Sequence, residues 1–560
     1  MKVGKIVLRI SQIKINISEF YHANKEQISK HTWKEIYGEQ EKSLITAKVK
    51  KIFRCSESEL EKILIVKRSI DARKKQEIYY NYCVDVQLKS ALERKLLLKE
   101  KKNRFIKVKE TSYIAPPFGE KTLQHRPIII GFGPAGMFCA LELAKAGYCP
   151  IVLEQGKNVE QRIEDVRQFW ETGVLKSDSN VQFGEGGAGT FSDGKLNTTV
   201  KDPSGRNRKV LEVLVEHGAE EEILYLQKPH IGTDALCNIV KNIRLDIEKH
   251  GGEVHFGTKV TGFQTDAKKS LTAIEVNGEK WLDTEVAVLA IGHSARDTFQ
   301  ILHDQGVYME KKPFAIGVRV EHKQAVIDEN QFGELAGILP AADYKLTYQA
   351  ENGRSIFSFC MCPGGFVVNA SSEEEALVVN GMSNHGRDEQ NANSALVVNV
   401  VPEDFETEDV LAGMLFQRKW EQLAYKEGNG KVPVQLYRDF KENKRSRAFE
   451  SVVPVHKGAV AFGNLKNCLP DFVCETLEEG MEQFGKRIKG FSDADVILSG
   501  VETRTSSPIR ITRNEDLEGS ISGFYPCGEG AGYAGGITSA AMDGLRVYEA
   551  IRKKYYPYEK

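Results

Sequence analysis

The stretch RPIIIGFGPAGMFCALELAKA, residues 126–146, decides the fold of this 560-residue chain. It opens with a short apolar run, which predicts a buried strand of a parallel sheet. The glycine pattern GFGPAG follows at 131–136, and an amphipathic helix is predicted from there to Ala146. Strand, glycine turn and helix in this order are typical of a Rossmann-type unit, which holds a dinucleotide. The sequence therefore predicts an α/β fold built around such a unit.

Each glycine of this pattern has a mechanical task. Gly131 makes the tight turn, Gly133 lets a pyrophosphate approach the backbone, and Gly136 allows the helix to pack closely on the strand. The phosphates then lie at the helix N-terminus, where free N–H groups and the helix dipole favour negative charge. A second apolar run, 150–153, ends in Glu154, and a carboxylate at this place accepts hydrogen bonds from a ribose. These four residues are the first predicted cofactor-binding residues.

Three stretches of the chain resemble the two-dinucleotide-binding-domain flavoproteins, and in particular their glutathione-reductase-like FAD domain. They are the glycine pattern, VAVLAIG at 286–292 and FYPCGEGAGYAGGITSAAMDG at 524–544. The resemblance implies FAD held without a covalent bond. It also implies that Gly292 ends a strand near the cofactor, and that Gly528 and Glu529 match a glycine–acid pair that bonds the ribityl chain. A helix that points at the flavin ring is then expected to open with Gly535, Gly536 and Ile537.

The glycine-rich segment 184–189 gives a second loop for the cofactor. Relatives in this superfamily place an equivalent loop over the flavin ring, so the resemblance implies that Gly187 and Gly189 line the cofactor. Backbone N–H groups of such loops bind anions and polar edges. The alternative is an ordinary tight loop.

Longer phrases narrow the resemblance to one bacterial group, named uncharacterised FAD-dependent dehydrogenases. The phrases are VQFGEGGAGTFSDGKL at 181–196, PHIGTD at 229–234, FCMCPGGFVV at 359–368 and TRTSSPIR at 503–510. The similarity extends over nearly the whole chain. It implies an enzyme, an FAD-dependent oxidoreductase, and the name of the group states no substrate.

Three residues outside the glycine patterns are candidates for catalysis. Cys360 and Cys362 lie two apart on a predicted strand, which turns both side chains to one face, and Cys362 is chosen as the reactive thiol because the turn after it exposes it more. His230 is able to exchange a proton near neutral pH. Arg504, together with Arg510, offers planar donors for a substrate carboxylate or phosphate. The alternatives are that the two cysteines are packed core thiols, that His230 is structural, and that the arginines form surface salt bridges. No sequence pattern predicts a metal site.

The chain divides at the Pro/Gly segment APPFG, 115–119, which resists helix and strand. Residues 1–115 are predicted to form a small α+β domain, with a helix at 56–62. This end is basic, because residues 1–125 carry 28 Lys and Arg against 15 Asp and Glu in a chain of net charge −1. The other predicted units are the first part of the FAD-binding domain at 126–304, an inserted mixed α+β substrate domain at 305–495, and the C-terminal part of the FAD-binding domain at 496–560.

The leading functional hypothesis is an FAD-dependent dehydrogenase or reductase that passes hydride through flavin N5 to or from a small-molecule substrate. The sequence shows no second glycine fingerprint after a strand, so NAD(P)H is expected to dock only transiently as a co-substrate. Two alternatives stay open: a flavin monooxygenase, and a flavin-dependent RNA-modifying enzyme whose basic N-terminal domain binds nucleic acid. Missing aromatic RNA-binding motifs and zinc-finger cysteines disfavour a nucleic acid partner without excluding it.

The expected compartment is the cytoplasm. The first residues, MKVGKIVLRI, lack the apolar run of a signal peptide, and no apolar run near them is long enough to span a membrane. Ten cysteines without a repeating spacing fit a reducing compartment.

Overall fold

The computed structural model describes residues 6–20, 33–99, 104–109 and 112–558. Three larger sheets organise this part of the chain: an antiparallel N-terminal sheet, a parallel sheet that carries the glycine fingerprint, and a mixed sheet in the middle of the chain. The predicted fold class is confirmed: an α/β protein with a Rossmann-type unit, a mixed α+β insertion and a small N-terminal α+β domain.

The N-terminal sheet buries one face under a helix. In its strand Tyr79–Leu88 every second side chain is buried, including Tyr82 and Val84, because alternate residues of a strand point to one face. Ile45 and Val49 of the helix Trp33–Phe53 join the same core. In sheet order the strands are Leu60–Asp71, Tyr79–Leu88, Ile6–Asn16 and Ile106–Lys109, and a second helix is Ser90–Lys99.

The prediction of a helix at 56–62 is wrong. A short 3-10 turn, Glu57–Glu59, leads directly into the strand Leu60–Asp71. Ile63 pairs there with Val86 of the neighbouring strand. Pairing of a β-branched side chain in the sheet therefore outweighs the helical preference of the glutamate-rich segment.

The parallel sheet has the glycine fingerprint at its centre. The helix Pro134–Lys145, here the fingerprint helix, packs against the last long helix, Ile537–Lys554, here the C-terminal helix. Gly544 allows this contact, since a Cβ there would lie 2.2 Å from the carbonyl oxygen of Ala135. In sheet order the strands are Phe524–Pro526, Ala287–Leu289, Ile128–Ile130, Ile151–Leu153 and Glu253–His255.

Further elements surround this sheet. The helices are Val159–Thr172, Arg206–Glu216, Thr233–Lys249 and Arg296–Asp304. An antiparallel meander follows the chain through Val260–Thr265, Leu271–Val276 and Lys280–Asp283. Two short pairs join distant parts of the chain, Lys121–Thr122 with Tyr555–Tyr556 and Met309–Lys311 with Ile509–Ile511.

The mixed sheet forms the middle unit. Its central strand, Phe314–Lys323, is buried along almost its whole length. The strand Ile497–Glu502 pairs with it, although the sequence assigned this segment to the C-terminal part of the FAD-binding domain. In sheet order the strands are Thr347–Gln349, Ser355–Cys362, Asn391–Val400, Phe314–Lys323, Ile497–Glu502, Val432–Leu436 and Val460–Phe462.

A small sheet and four helices complete this unit. The sheet consists of Val379–Met382, Phe366–Asn369 and His456–Lys457. The helices are Gln324–Phe332, Ala412–Gly428, Tyr437–Lys441 and Asp471–Gly485.

Among the described residues, no helix combines the length and the apolar composition needed to cross a bilayer. Within the same residues, His, Cys, Asp and Glu side chains form no group of three or more that could hold a metal ion.

Candidate functional site

A cavity of about 360 Å³, here the central cavity, lies between the parallel sheet and the mixed sheet. Ile130, Leu153 and Cys527 line one side of it, where the parallel strands end. Phe359 and Cys360 of the mixed sheet line the other side. Open parallel sheets bind their ligands at the carboxyl ends of the strands. The position of the cavity is therefore that of a dinucleotide site.

The fingerprint turn has room only for glycine. Gly131 has a φ of +97°, and a Cβ there would lie 2.4 Å from the carbonyl oxygen of Ala290. A Cβ at Gly136 would lie 2.1 Å from the carbonyl oxygen of Gly131. Gly187 has a φ of +61°, and its Cβ would lie 3.0 Å from the Cα of Gly133. The two glycine-rich segments thus meet backbone to backbone at the cavity wall.

Arg162, which the sequence did not single out, holds the glycine-rich loop in place. The Gly186 N–H donates to the Phe132 carbonyl at 2.9 Å, which fixes the loop to the fingerprint turn. The guanidinium of Arg162 is fully buried, and burial lowers its pKa to about 10. It donates hydrogen bonds to the backbone carbonyls of Asn180, Val181, Gly184 and Glu185.

Glu154 joins the fingerprint turn to the same loop. Its side chain lines the cavity and the residue is only 5% exposed. The carboxylate accepts hydrogen bonds from the N–H groups of Phe132 at 2.8 Å, Gly156 at 2.9 Å and Gly184 at 3.1 Å. A carboxylate has about four acceptor positions. Three are used by the protein, which leaves one for the ribose contact predicted from the sequence.

The C-terminal helix begins at the central cavity. Gly536 is its N-cap residue and Ile537 its first residue. A Cβ at Gly189 would lie 3.1 Å from Cγ1 of Ile537. A Cβ at Gly292, Gly535 or Gly536 would have no atom of the described residues within 4 Å. These glycines leave open space at a helix start, where N–H groups are unpaired and the dipole is positive.

Only one residue of the glycine–acid pair 528–529 lines the cavity. Gly528 does not line the cavity, and its N–H donates to Asp543 at 2.8 Å. Glu529 lines the cavity, and its Oε1 lies 2.8 Å from Nδ1 of His293, which lines it too. The sequence did not single out His293, and its only signal was its place directly after Gly292. A histidine–glutamate contact therefore stands where the resemblance implied a carboxylate for the ribityl chain.

Arg504 lies in the cavity wall, but the protein engages its donors. Its Nε and Nη2 donate to Glu421 at 3.0 and 2.8 Å, and its Nη1 donates to Ser294 and Ser372. Glu421 also accepts two hydrogen bonds from Arg296. The predicted grip of Arg504 on a substrate is replaced by a buried ion network, because Glu421 accepts hydrogen bonds from two of its three nitrogens.

His230 does not line the central cavity. Its Nε2 lies 3.0 Å from the carbonyl oxygen of His385, and the two rings stack at 5.4 Å. Burial lowers the pKa of His230 to about 4, so the ring is neutral at physiological pH and donates to that carbonyl. This arrangement corresponds to the structural alternative rather than to the predicted proton exchange.

Cys360, and not Cys362, lines the cavity. The strand that carries both thiols has a bulge: Phe359 pairs with Ala395, whereas Cys362, three residues later, pairs with Asn393, two residues earlier. The extra residue breaks the alternation on which the sequence prediction relied. Cys362 is fully buried, so the choice of Cys362 as the exposed thiol was wrong.

Charged side chains surround Cys360 on two sides. Nζ of Lys195 lies 3.1 Å from Asp193, and Asp193 is also bound by Arg387. Burial is the largest effect on the pKa of Lys195 and lowers it, but neighbouring anionic groups outweigh burial and raise this pKa. The amine therefore keeps its positive charge inside the cavity.

Arg319 and Glu502 form the second side. Nη2 of Arg319 donates to the Cys360 carbonyl at 2.7 Å, and its Nε lies 3.4 Å from Oε2 of Glu502. Burial raises the pKa of Glu502 to about 7. Glu502 lines the cavity and is thus able to exchange a proton near neutral pH, the role that the sequence assigned to His230.

The cavity as a whole fits FAD. Two helix N-termini and two glycine segments face it, and a Cβ at several of these glycines would fill the space or displace backbone. Backbone N–H groups at helix starts suit a pyrophosphate, and Glu154 stands at the end of the second parallel strand, where the ribose-binding acid of such units is found.

Comparisons with known proteins give matches over most of the chain. A family described as FAD-dependent protein, C-terminal domain-like, matches residues 313–505, and a domain of unknown function matches 8–87. An uncharacterized protein of Clostridium beijerinckii is 49% identical over 521 residues, which are 92% of this chain and 96% of the relative.

Among solved structures, a glycine oxidase from Geobacillus kaustophilus is 12% identical with a TM-score of 0.35, covering 79% of this chain and 97% of its own. A triple mutant of a flavin-dependent brominase is 14% identical with a TM-score of 0.36, covering 76% of this chain and 79% of its own.

Proposed function

Since the chain belongs to the same family as the Clostridium beijerinckii protein and carries the FAD-dependent protein C-terminal domain, we propose that it is an FAD-dependent oxidoreductase. The observation that carries the proposal is the central cavity, where the fingerprint helix and the C-terminal helix both begin. The proposed activity is that of a dehydrogenase or reductase acting on a small molecule in the cytoplasm.

The residues that would hold FAD follow the cavity from one end to the other. Glu154 would bind the ribose of the adenosine, and the fingerprint turn with Gly187 and Gly189 would hold the pyrophosphate. The start of the C-terminal helix, at Gly536 and Ile537, would face the flavin ring, because a helix dipole stabilises negative charge there.

Bound FAD would accept or donate a hydride, which is chemistry that no side chain supplies. The protein would contribute position, charge and a proton. Glu502, with a pKa of about 7, would hold or release the proton that accompanies the hydride. The charged groups near Cys360 would orient the substrate on the side of the mixed sheet.

The test begins with the visible spectrum of the purified protein, followed by anaerobic addition of NADH or NADPH. We expect a yellow protein with a flavin band that bleaches with one of the two nucleotides, which would identify NAD(P)H as a transient co-substrate. A yellow protein that stays oxidised would limit the proposal to a substrate dehydrogenase. A colourless protein that does not bind added FAD would contradict it, and rapid reoxidation by oxygen would favour a monooxygenase.

Replacing Glu154 by glutamine is expected to raise the dissociation constant of FAD by roughly 10- to 150-fold. Hydrogen bonds to a charged group contribute about 1.5–3 kcal/mol. The glutamine side chain is uncharged, and its NH₂ group cannot accept hydrogen bonds from the backbone N–H groups that bind Glu154. FAD fluorescence during titration of the FAD-free protein measures the constant. Glu171→Gln, an exposed residue on the helix Val159–Thr172, is the control, and equal FAD affinity in the two variants would disprove the assignment.

A further inference from the structure

Cys360 stands at a strained point of the mixed sheet. Its φ is +43°, a value that costs a residue other than glycine on the order of 1–3 kcal/mol. The strain sits at the bulge of its strand, and the Arg319 hydrogen bond to the Cys360 carbonyl holds it there. Strained backbone that the surroundings enforce clusters at functional sites. At this point of the strand Cys360 lines the cavity, while Cys362 stays buried.

The second thiol supports the first. The Cys362 thiol donates to the Cys360 carbonyl oxygen at 3.3 Å, and the interaction between the two side chains is the largest effect on both groups, lowering the pKa of Cys360 and raising that of Cys362. Burial opposes the lowering, and the positive charges of Lys195 and Arg319 add to it. Cys362 therefore keeps its proton and Cys360 loses it.

Positive charge exceeds negative charge around Cys360 even when its thiol is ionised. Asp193 is shared between Lys195 and Arg387, so it compensates one of these two cations. Glu502 faces Arg319 and holds a proton at pH values at or below its pKa of about 7. The positive groups are Lys195, Arg319 and Arg387, and the negative groups are Asp193 and the Cys360 thiolate.

A bond between the sulfur and carbon would remove the negative charge of the thiolate. Lys195 would then lack a full counter-charge inside a cavity, which is unfavourable in a low dielectric. An anionic group on the electrophile would restore that counter-charge. The site is therefore suited to an electrophile that brings its own negative charge.

We propose that Cys360 is a nucleophilic thiolate that adds to a small carbonyl compound carrying a carboxylate, with Lys195 as the group that binds the carboxylate. The proposal deepens the proposed function, on which it rests, by naming the substrate class. A sulfur lone pair forms the S–C bond, the π pair of the carbonyl moves to its oxygen, and that oxygen takes the proton of Glu502. The addition is reversible and requires no oxidant.

The first experiment is alkylation of the protein with iodoacetate and, separately, iodoacetamide at pH 6–9, followed by peptide mass spectrometry. In this probe reaction the sulfur displaces iodide. At pH 7 we expect iodoacetate to label Cys360 at least 10-fold faster than Cys55, whose pKa burial raises. The ratio of iodoacetate to iodoacetamide rates should also be higher at Cys360 than at Cys55. The proposal would be overturned by the same iodoacetate-to-iodoacetamide rate ratio at Cys360 and Cys55, or by the same pH profile of labelling at these two residues. Labelling of Cys362 in place of Cys360 would also overturn it.

Variants of Lys195 test whether this residue makes Cys360 react faster with an anionic reagent than with a neutral one. We expect Lys195→Met to reduce the iodoacetate rate at Cys360 at least 10-fold and the iodoacetamide rate much less, and Lys195→Arg to restore the preference. Lys345→Met, at an exposed position, is the matched control. An unchanged rate ratio in Lys195→Met would contradict the role of Lys195.

Competition tests the substrate class. Glyoxylate, a small carbonyl compound with a carboxylate, should slow labelling of Cys360 more than acetaldehyde does at the same concentration, and the reverse order would reject the class. The flavin spectrum of the same sample reports FAD binding separately, so a protein that binds FAD without a reactive Cys360 refutes only this inference.

Discussion

Replacing Glu421 by alanine is expected to lower the free energy of unfolding by about 3–5 kcal/mol, the cost of breaking a buried ion pair from one side. Glu421 is fully buried and accepts hydrogen bonds from Arg296, Arg504 and Thr503. Its removal leaves two buried guanidinium groups without their shared carboxylate. Urea unfolding followed by circular dichroism measures the loss.

A matched control lies one residue further along the helix. Gln422 is exposed, and Gln422→Ala should change stability by less than about 0.5 kcal/mol. Glu421→Gln keeps the shape but not the charge, so we expect an intermediate loss. A loss below 1 kcal/mol in Glu421→Ala would show that the network does not hold the middle unit together.

The same carboxylate gives stability a pH dependence with a definite sign. Burial alone would raise the pKa of Glu421, but Arg296 and Arg504 together hold it well below its ordinary value of 4.5. A carboxyl with a lowered pKa in the folded state stabilises the fold above its unfolded pKa, and this stabilisation is lost as the pH falls. The difference in stability between the wild type and Glu421→Gln should therefore shrink below pH 4.5.

Replacing Arg162 by methionine is expected to weaken FAD binding by more than 100-fold. We also expect the free energy of unfolding to fall by about 3 kcal/mol or more, because each buried polar group left without a partner costs about 1–3 kcal/mol. Four backbone carbonyls of the segment 180–185 would lose their donor. The loop would no longer be held against Gly133, where the pyrophosphate is proposed to bind.

The helix that carries Arg162 also supplies the control. Arg167 is exposed and pairs with Glu164 and Glu171, and surface pairs of this kind contribute about 0–1 kcal/mol. Arg167→Met should therefore leave FAD affinity unchanged, as judged by fluorescence titration. An Arg162→Met protein that binds FAD like the wild type would show that the loop is fixed by other contacts.

The cofactor end of the cavity was predictable because its signals are local in sequence. The strand at 128–130, the turn at 131–136 and Glu154 lie within one βαβ unit, whose spacing is set by backbone geometry. The structure brings these residues together around one cavity. Gly292 and the segment 535–537 were found through the resemblance, and they line the same cavity.

The substrate end was not predictable to the same degree, because its geometry depends on distant pairing. The alternation rule for Cys360 and Cys362 failed at a bulge that only the partner strand reveals. Arg162 binds carbonyls 18 to 23 residues further along the chain, and no local pattern marks such partners. One sequence feature marked Glu421. It lies four residues after Gln417 and three before Ala424, so the three share one face of the helix, and this face is buried. A buried carboxylate requires a charged partner.

The parallel sheet has an edge strand, Phe524–Pro526, that is synthesised more than 200 residues after its neighbour Ala287–Leu289. The helix that completes the central cavity comes later still, at Ile537–Lys554. The ribosome therefore produces the N-terminal sheet and the whole middle unit before the cofactor site can close. A chain without this helix would lack one wall of the site, so flavin capture should follow the synthesis of Ile537–Lys554.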